Sequence, residues 1–499
     1  SQLQTGKDVP SLMLSDRDHR PYAAVDMDEP GATLTVRDMP DLPPVAIDRD
    51  KWRFGQIDEN GEYIADSNYV SLDGGFDKGG LYQIAYTTSG ARVLGLGFAA
   101  LRDCSSWVKH GGAELGNPLS RAIDYAFSYG ISQTGRMMRT FIYDDLNQDE
   151  EGREALDGII SNVAGGMRGE FNQRFGQNSK DRNNMMVHLF PFSDKPQTDP
   201  ETEESGSMLG RFDERASQTR VFFTNSSAEY HRGDASLLHT NVEGTRDVEH
   251  GENVRIYHFG STQHGLGVWP PTNYNDMMAE GGQNSLNEID YSPALRGALV
   301  NLDRWVTEGV AAPPSNHPRL DDGSAVPPHE LAPIFERIPG SHTPDRWALP
   351  RRLDFGRDPN INQTHTLPAI PGNAFGSLVS AVDADGNEIA GIRMPEVAVP
   401  LATHTGWNLR HPDNGGARQL FMFMGSTIPF AKTRSEREAS GDPRLSIEER
   451  YPSKDAYLSQ IREAATAVAE EGYVLPEDID DLVTHAGVRW DHYTSGRGG

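Results

Sequence analysis

One cysteine, Cys104, stands among 499 residues. No intrachain disulfide can form, and no Cys/His cluster with metal-ligand spacing exists, so the expectation is of no metal and no other cofactor. Long apolar runs are also missing. No stretch reaches 18 apolar residues, which argues against membrane insertion. Neither end carries a basic segment followed by an apolar one, so no signal peptide is read within the chain. Its first residue is Ser1, which suggests a processed or shortened N-terminus. Basic residues are scarce: 46 Lys and Arg against 73 Asp and Glu give a net charge of −27. Such a surface repels nucleic acid and anionic membranes. It fits a soluble protein, with a secreted or periplasmic setting favoured slightly over the cytoplasm. Cys104 falls within the helical pattern of residues 97–108, where a buried structural cysteine is expected rather than a nucleophile.

Apolar residues make up 36% of the chain and the mean hydropathy is −0.59, enough for a sizeable core in a water-soluble protein. Residues 1–80 read as an N-terminal irregular and strand region, with a strand over 32–37. From 81 to 310 strands and helices alternate: strand 81–87, helix 92–109, strand 122–129, a helix beyond Gly135, strand 156–165, strands 220–225 and 254–259, then helix 292–308. That rhythm predicts an α/β fold built on a mostly parallel sheet flanked by helices. Residues 166–218 break it, being polar and rich in Asn, Arg, Met and Phe, and are expected to form a cap insertion. Residues 311–499 form a C-terminal extension with late helices near 453–471 and 476–486. Asp383-Ala384-Asp385-Gly386-Asn387-Glu388 opens like a calcium loop, but Val397 stands near where the bidentate Glu is needed, so a polar turn is expected.

Chemistry concentrates around Ser132. It lies in Tyr129-Gly130-Ile131-Ser132-Gln133-Thr134-Gly135-Arg136, between an apolar strand and a helical stretch. Strand, tight turn with serine, then helix is the setting of a nucleophile elbow, where a small residue must stand two positions before the serine. Gly130 does so; two positions after stands Thr134, with Gly135 one step later. A serine hydroxyl needs a base, and the base a carboxylate to fix its tautomer. On such a fold acid and histidine follow the serine in that order, each just past a strand end. Glu229 follows strand 220–225, and His264 follows strand 254–259 between Gln263 and Gly265. Asp234 is the alternative acid; Glu229 is preferred because it lies nearer the strand end. The remaining histidines are expected mostly at the surface.

The backbone N–H of Gln133 is the expected oxyanion donor. A second donor is not evident, with Thr87-Thr88-Ser89-Gly90 as one candidate. Arg136 could orient a substrate carbonyl or pair with a core carboxylate, and the structural role is preferred. Met167, Phe171, Phe175, Met185 and Met186 could roof the substrate pocket, or simply fill the cap core; Phe171 and Met185 are retained as substrate-binding candidates.

Several blocks together carry a family resemblance. They are Gly95-Leu96-Gly97-Phe98-Ala99-Ala100-Leu101-Arg102-Asp103, Gly130 to Arg136, Thr224-Asn225-Ser226-Ser227-Ala228-Glu229-Tyr230 and Thr262-Gln263-His264-Gly265. Residues 400–410 and 428–434 continue the match. The chain resembles the bacterial "alpha/beta hydrolase domain-containing" family of esterase-like serine hydrolases, from about residue 30 to near its end. The resemblance implies an α/β-hydrolase fold and a serine hydrolase acting on a small-molecule carboxylic ester or lactone through an acyl-enzyme. Family members carry further N-terminal strands with a turn suited to the oxyanion hole, which this sequence lacks. That part is expected to be a separate chain, to have been removed, or to be replaced by residues 1–80, and a homo-oligomer is a further possible partner. Two alternatives stay open: an amidase or peptidase using the same residues, and a non-catalytic subunit of the same fold.

Overall fold

Apolar runs become strands here because helices cover both of their faces. The computed structural model of the protein describes residues 2–495 except 6, 16–18, 173–174, 177–188, 348 and 357–368. Residues before 88 fold as antiparallel strands around a core of their own, with Leu34, Trp52, Phe54, Val70, Phe76 and Ile84 buried together. In this unit β1 (Thr33–Arg37), β2 (Tyr69–Phe76) and β3 (Leu81–Ala85) are the main strands, and β1 pairs with β3.

The helix α1 (Leu96–His110) follows, then β4 (Phe127–Ile131) and α2 (Gln133–Tyr143). The strand expected over 122–129 starts later, at Phe127. Asp157 takes the Ala126 N–H on its carboxylate at 2.8 Å, so ladder pairing begins only with Phe127 opposite Gly158. Next come β5 (Gly158–Asn162), β6 (Arg220–Ser226), the one-turn helix α3 (Ser227–His231) and β7 (Val254–Phe259). These four strands form a parallel sheet in the order β4-β5-β6-β7. Ile159, Val221, Phe223 and Ile256 point to one face, against Phe98, Met138, Phe141 and Ile142 of α1 and α2. Ile160, Phe222 and Tyr257 point to the other, against Ala294, Ala298, Leu302 and Trp305 of α4 (Ser292–Thr307). Double-sided burial of a parallel sheet explains the unbroken apolar runs of β5 and β6.

The described parts of 166–218 form a small hairpin, Gln197–Thr198 with Ser205–Gly206, and a helix at Gly210–Glu214. Phe171, Met208, Leu209 and Phe212 drop into the core beside α1 and α2. Beyond residue 311, β8 (Ala402–Thr405) and β9 (Ser426–Pro429) pair with each other, and the helices α5 (Lys454–Glu470) and α6 (Ile479–Thr494) follow. Ala465, Val468 and Leu482 from these helices share a core with α4, and so do Ile392, Met394 and Val397. Bridges Tyr257–Asn316 and Phe259–Ile392 lay late segments along the outer side of β7. At the opposite edge, no strand among the described residues pairs with the outer side of β4, and Tyr129 and Ile131 stand 42% and 51% exposed.

One expectation needs correction. Cys104 is exposed, because α1 turns Phe98 and Ser106 inward and the cysteine falls on the opposite side of the helix. Among the described histidines, His231, His239, His258, His317 and His404 are buried and the other nine are not. Among the described residues no helix is long and apolar enough to cross a membrane.

Candidate active site

Ser132 joins the end of β4 to α2 with φ 54° and ψ −111°, a conformation that L-residues adopt at a cost of order 1–3 kcal/mol. The turn is fixed from three sides. Ser132 N–H donates to Asn162 O at 2.9 Å, tying the elbow to β5. Thr134 Oγ1 accepts from Ile131 N–H at 2.8 Å and donates to Ile131 O at 2.9 Å. A Cβ at Gly130 would lie 2.4 Å from Thr134 O, and one at Gly135 would lie 2.8 Å from Asn162 O. The close approaches therefore fall at 130 and 135, and position 134 has room for a threonine that staples the turn.

Glu229 is the third residue of α3 and is 1% exposed. Its two oxygens have separate tasks. Oε2 accepts from Ser226 N–H at 2.9 Å and Ser226 Oγ–H at 2.6 Å, closing a capping box. Oε1 faces His264 Nδ1 at 2.5 Å. The other ring nitrogen, Nε2, stands 2.8 Å from Ser132 Oγ. With Nδ1–H donating to the carboxylate, Nε2 is the acceptor for the serine hydroxyl.

The His264 ring is held by groups distant in sequence. His264 N–H donates to Phe423 O at 3.1 Å, and the Phe423 ring stacks on the imidazole at 4.4 Å between centroids. Phe423 itself has φ 71°. Tyr291 donates its hydroxyl to His264 O at 2.7 Å, and burial, followed by the charge of Glu229, pushes its phenol well above the usual range, so it remains a neutral donor. Neither Phe423 nor Tyr291 is marked by any local sequence signal; both are set by chain packing.

The structure thus brings Ser132, His264 and Glu229 together. Gln133 N–H opens α2 beside the serine, where helix N–H groups lack intrahelical acceptors. The other candidates lie elsewhere. Asp234 is fully buried and engaged by Arg232 Nε at 2.8 Å and by Gly166 N–H at 2.9 Å, so it does not serve His264. Arg136 is 2% exposed within α2. Phe171 sits edge-on to Phe98 at 5.9 Å in the helix–sheet core. Phe175 packs edge-on to Tyr22 at 5.2 Å, while Met185 and Met186 lie outside the described residues. Thr87 N–H is committed to Glu29 Oε2 at 2.8 Å. An open, largely apolar cavity has Glu229, Phe423, Trp407, Phe421, Met422 and Leu349 among its walls, whereas Ser132 and His264 do not line it.

A family model described as an alpha/beta hydrolase domain matches residues 61–484. No curated protein and no solved structure matches the chain.

Proposed function

Because the chain belongs to the alpha/beta hydrolase domain family, we propose that it is a serine hydrolase that cleaves a carboxylic ester or lactone through an acyl-enzyme. The observation that carries this reading is the unbroken line from Ser132 Oγ to His264 Nε2 at 2.8 Å and from His264 Nδ1 to Glu229 at 2.5 Å. Ser132 Oγ attacks the carbonyl carbon while its proton passes to His264 Nε2. Glu229 stabilises the resulting imidazolium without taking its proton. Gln133 N–H donates to the oxyanion as charge develops, the term that usually contributes most. The tetrahedral intermediate collapses, and His264 Nε2–H gives its proton to the departing alkoxide. Water then attacks the acyl-enzyme with His264 as base, and the carboxylic acid leaves Ser132 restored.

The test is hydrolysis of p-nitrophenyl esters from acetate to octanoate beside the matching anilides, with Ser132→Ala as control. Ester turnover abolished by the alanine is expected. Turnover that survives it, or anilide cleavage exceeding ester cleavage, would overturn the proposal.

A further inference from the structure

Acid and histidine reach the site from different elements, α3 and the loop after β7, and something must set the distance between them. Glu388, in the turn that follows Asp383, does this from the late part of the chain. It is 2% exposed, and its carboxylate has two contacts on each element. On α3, Ser227 Oγ–H donates to Oε2 at 2.5 Å, and His231 Nε2 lies 3.5 Å from Oε1. On the other side, His258 Nε2 at the end of β7 lies 2.8 Å from Oε2, and Ser261 N–H donates to the same oxygen at 2.8 Å. Glu388 N–H in turn donates to Ser261 Oγ at 2.8 Å. Ser227 is two residues before Glu229, and Ser261 three before His264.

The two clamped elements also touch directly, Thr262 N–H donating to Ser227 Oγ at 3.2 Å. Ser261 has φ 59°, so the loop is bent into a form it would not hold unaided. Burial opposes the charge on Glu388. The facing rings of His258 and His231 outweigh it and hold the carboxyl well below the usual carboxylate range. An ionised carboxylate suits this site: one oxygen faces a hydroxyl, an amide and an imidazole at once, and it accepts from such donors more strongly than a neutral amide oxygen does.

We infer that Glu388 is a positioning residue of the hydrolytic site, holding Glu229 and His264 in register through Ser227 and Ser261. This rests on the serine-hydrolase reading above. Displacing a reacting group by about 1 Å can cost on the order of a hundredfold in rate.

The test uses the full chain and counts working sites by fluorophosphonate titration, so misfolded protein drops out of the measurement. Glu388→Gln is expected to lower kcat per titrated site about 10- to 100-fold with KM within about twofold. Ser227→Ala should lower it less, and the double variant should be no slower than Glu388→Gln, since both remove one tie. A wild-type kcat per titrated site in Glu388→Gln, or losses that multiply in the double variant, would overturn the inference. If Glu388→Gln does not fold, Ser227→Ala and Ser261→Ala decide: reduced kcat in both supports the tie, and wild-type kcat in both refutes it. An inert Ser132→Ala beside a full-speed Glu388→Gln removes this inference alone, whereas hydrolysis that survives Ser132→Ala removes the serine-hydrolase reading itself.

Discussion

The nucleophile and the acid–base pair occupy two contrasting regions of one sheet. Ser132 leaves β4, an edge strand whose Tyr129 and Ile131 are 42% and 51% exposed. Glu229 and His264 leave β6 and β7, where Val221 to Ser226 are at most 1% exposed and late segments wrap the outer edge. The serine is held by neighbours in sequence: Gly130, Ile131, Thr134, Gly135 and, one strand away, Asn162. The pair is held by residues 127 and 161 positions away, as in Ser261 with Glu388 and Ser227 with Glu388. One half of the site is therefore written in a contiguous octapeptide, while the other exists only once the C-terminal region has packed.

Breaking the pair side should cost most. Glu229→Gln keeps the shape but offers Nδ1 an amide, and kcat for p-nitrophenyl ester hydrolysis is expected to fall about 10³- to 10⁴-fold. On the nucleophile side, Gly130→Ala drives a methyl into Thr134 O. It should destabilise the elbow by about 1–3 kcal/mol and reduce the fluorophosphonate-reactive fraction, read by urea unfolding and active-site titration. Asp234→Asn sharpens the contrast: it strips Arg232 of a buried partner and should lower stability by about 3–5 kcal/mol. It should leave kcat per titrated site within about threefold, because Asp234 does not serve His264; a loss as large as that of Glu229→Gln would reverse the assignment of the acid.

The smallest effect concerns pH. Burial, ahead of the neighbouring His250 charge, lowers the His317 imidazole to about 4 from 6.5. A proton then binds the unfolded chain more tightly than the folded one. The stability this group contributes is present above pH 6.5 and is lost as pH falls towards 4, at most about 1.4 kcal/mol per pH unit. His317→Gln should flatten the fall in Tm between pH 6.5 and 4.5, and an unchanged slope would show that His317 does not titrate on unfolding.

How much of this could be read from sequence follows the same division. The strands β5, β6 and β7 were legible because burial on both faces leaves continuous apolar runs, and the order of serine, acid and histidine follows from where those strands end. Gly130 and Ser132 announced the elbow, although the need for Gly135 rather than a glycine at 134 became apparent only from its approach to Asn162 O. Phe423, Tyr291 and Glu388 were not legible, since their roles depend on partners in other elements. Glu388 in particular reads as one more carboxylate in a polar turn. Cys104 misled because a cysteine in a helical pattern says nothing about which face packs, whereas the spacing of Phe98 and Ser106 does.

The most direct measurement maps the adduct formed when the folded chain is treated with a fluorophosphonate and its peptides are analysed by mass spectrometry. A single adduct is expected on the peptide carrying Ser132, absent when His264 is replaced by Gln. A folded sample that takes up no label, or one labelled elsewhere while Ser132 stays unmodified, would contradict it.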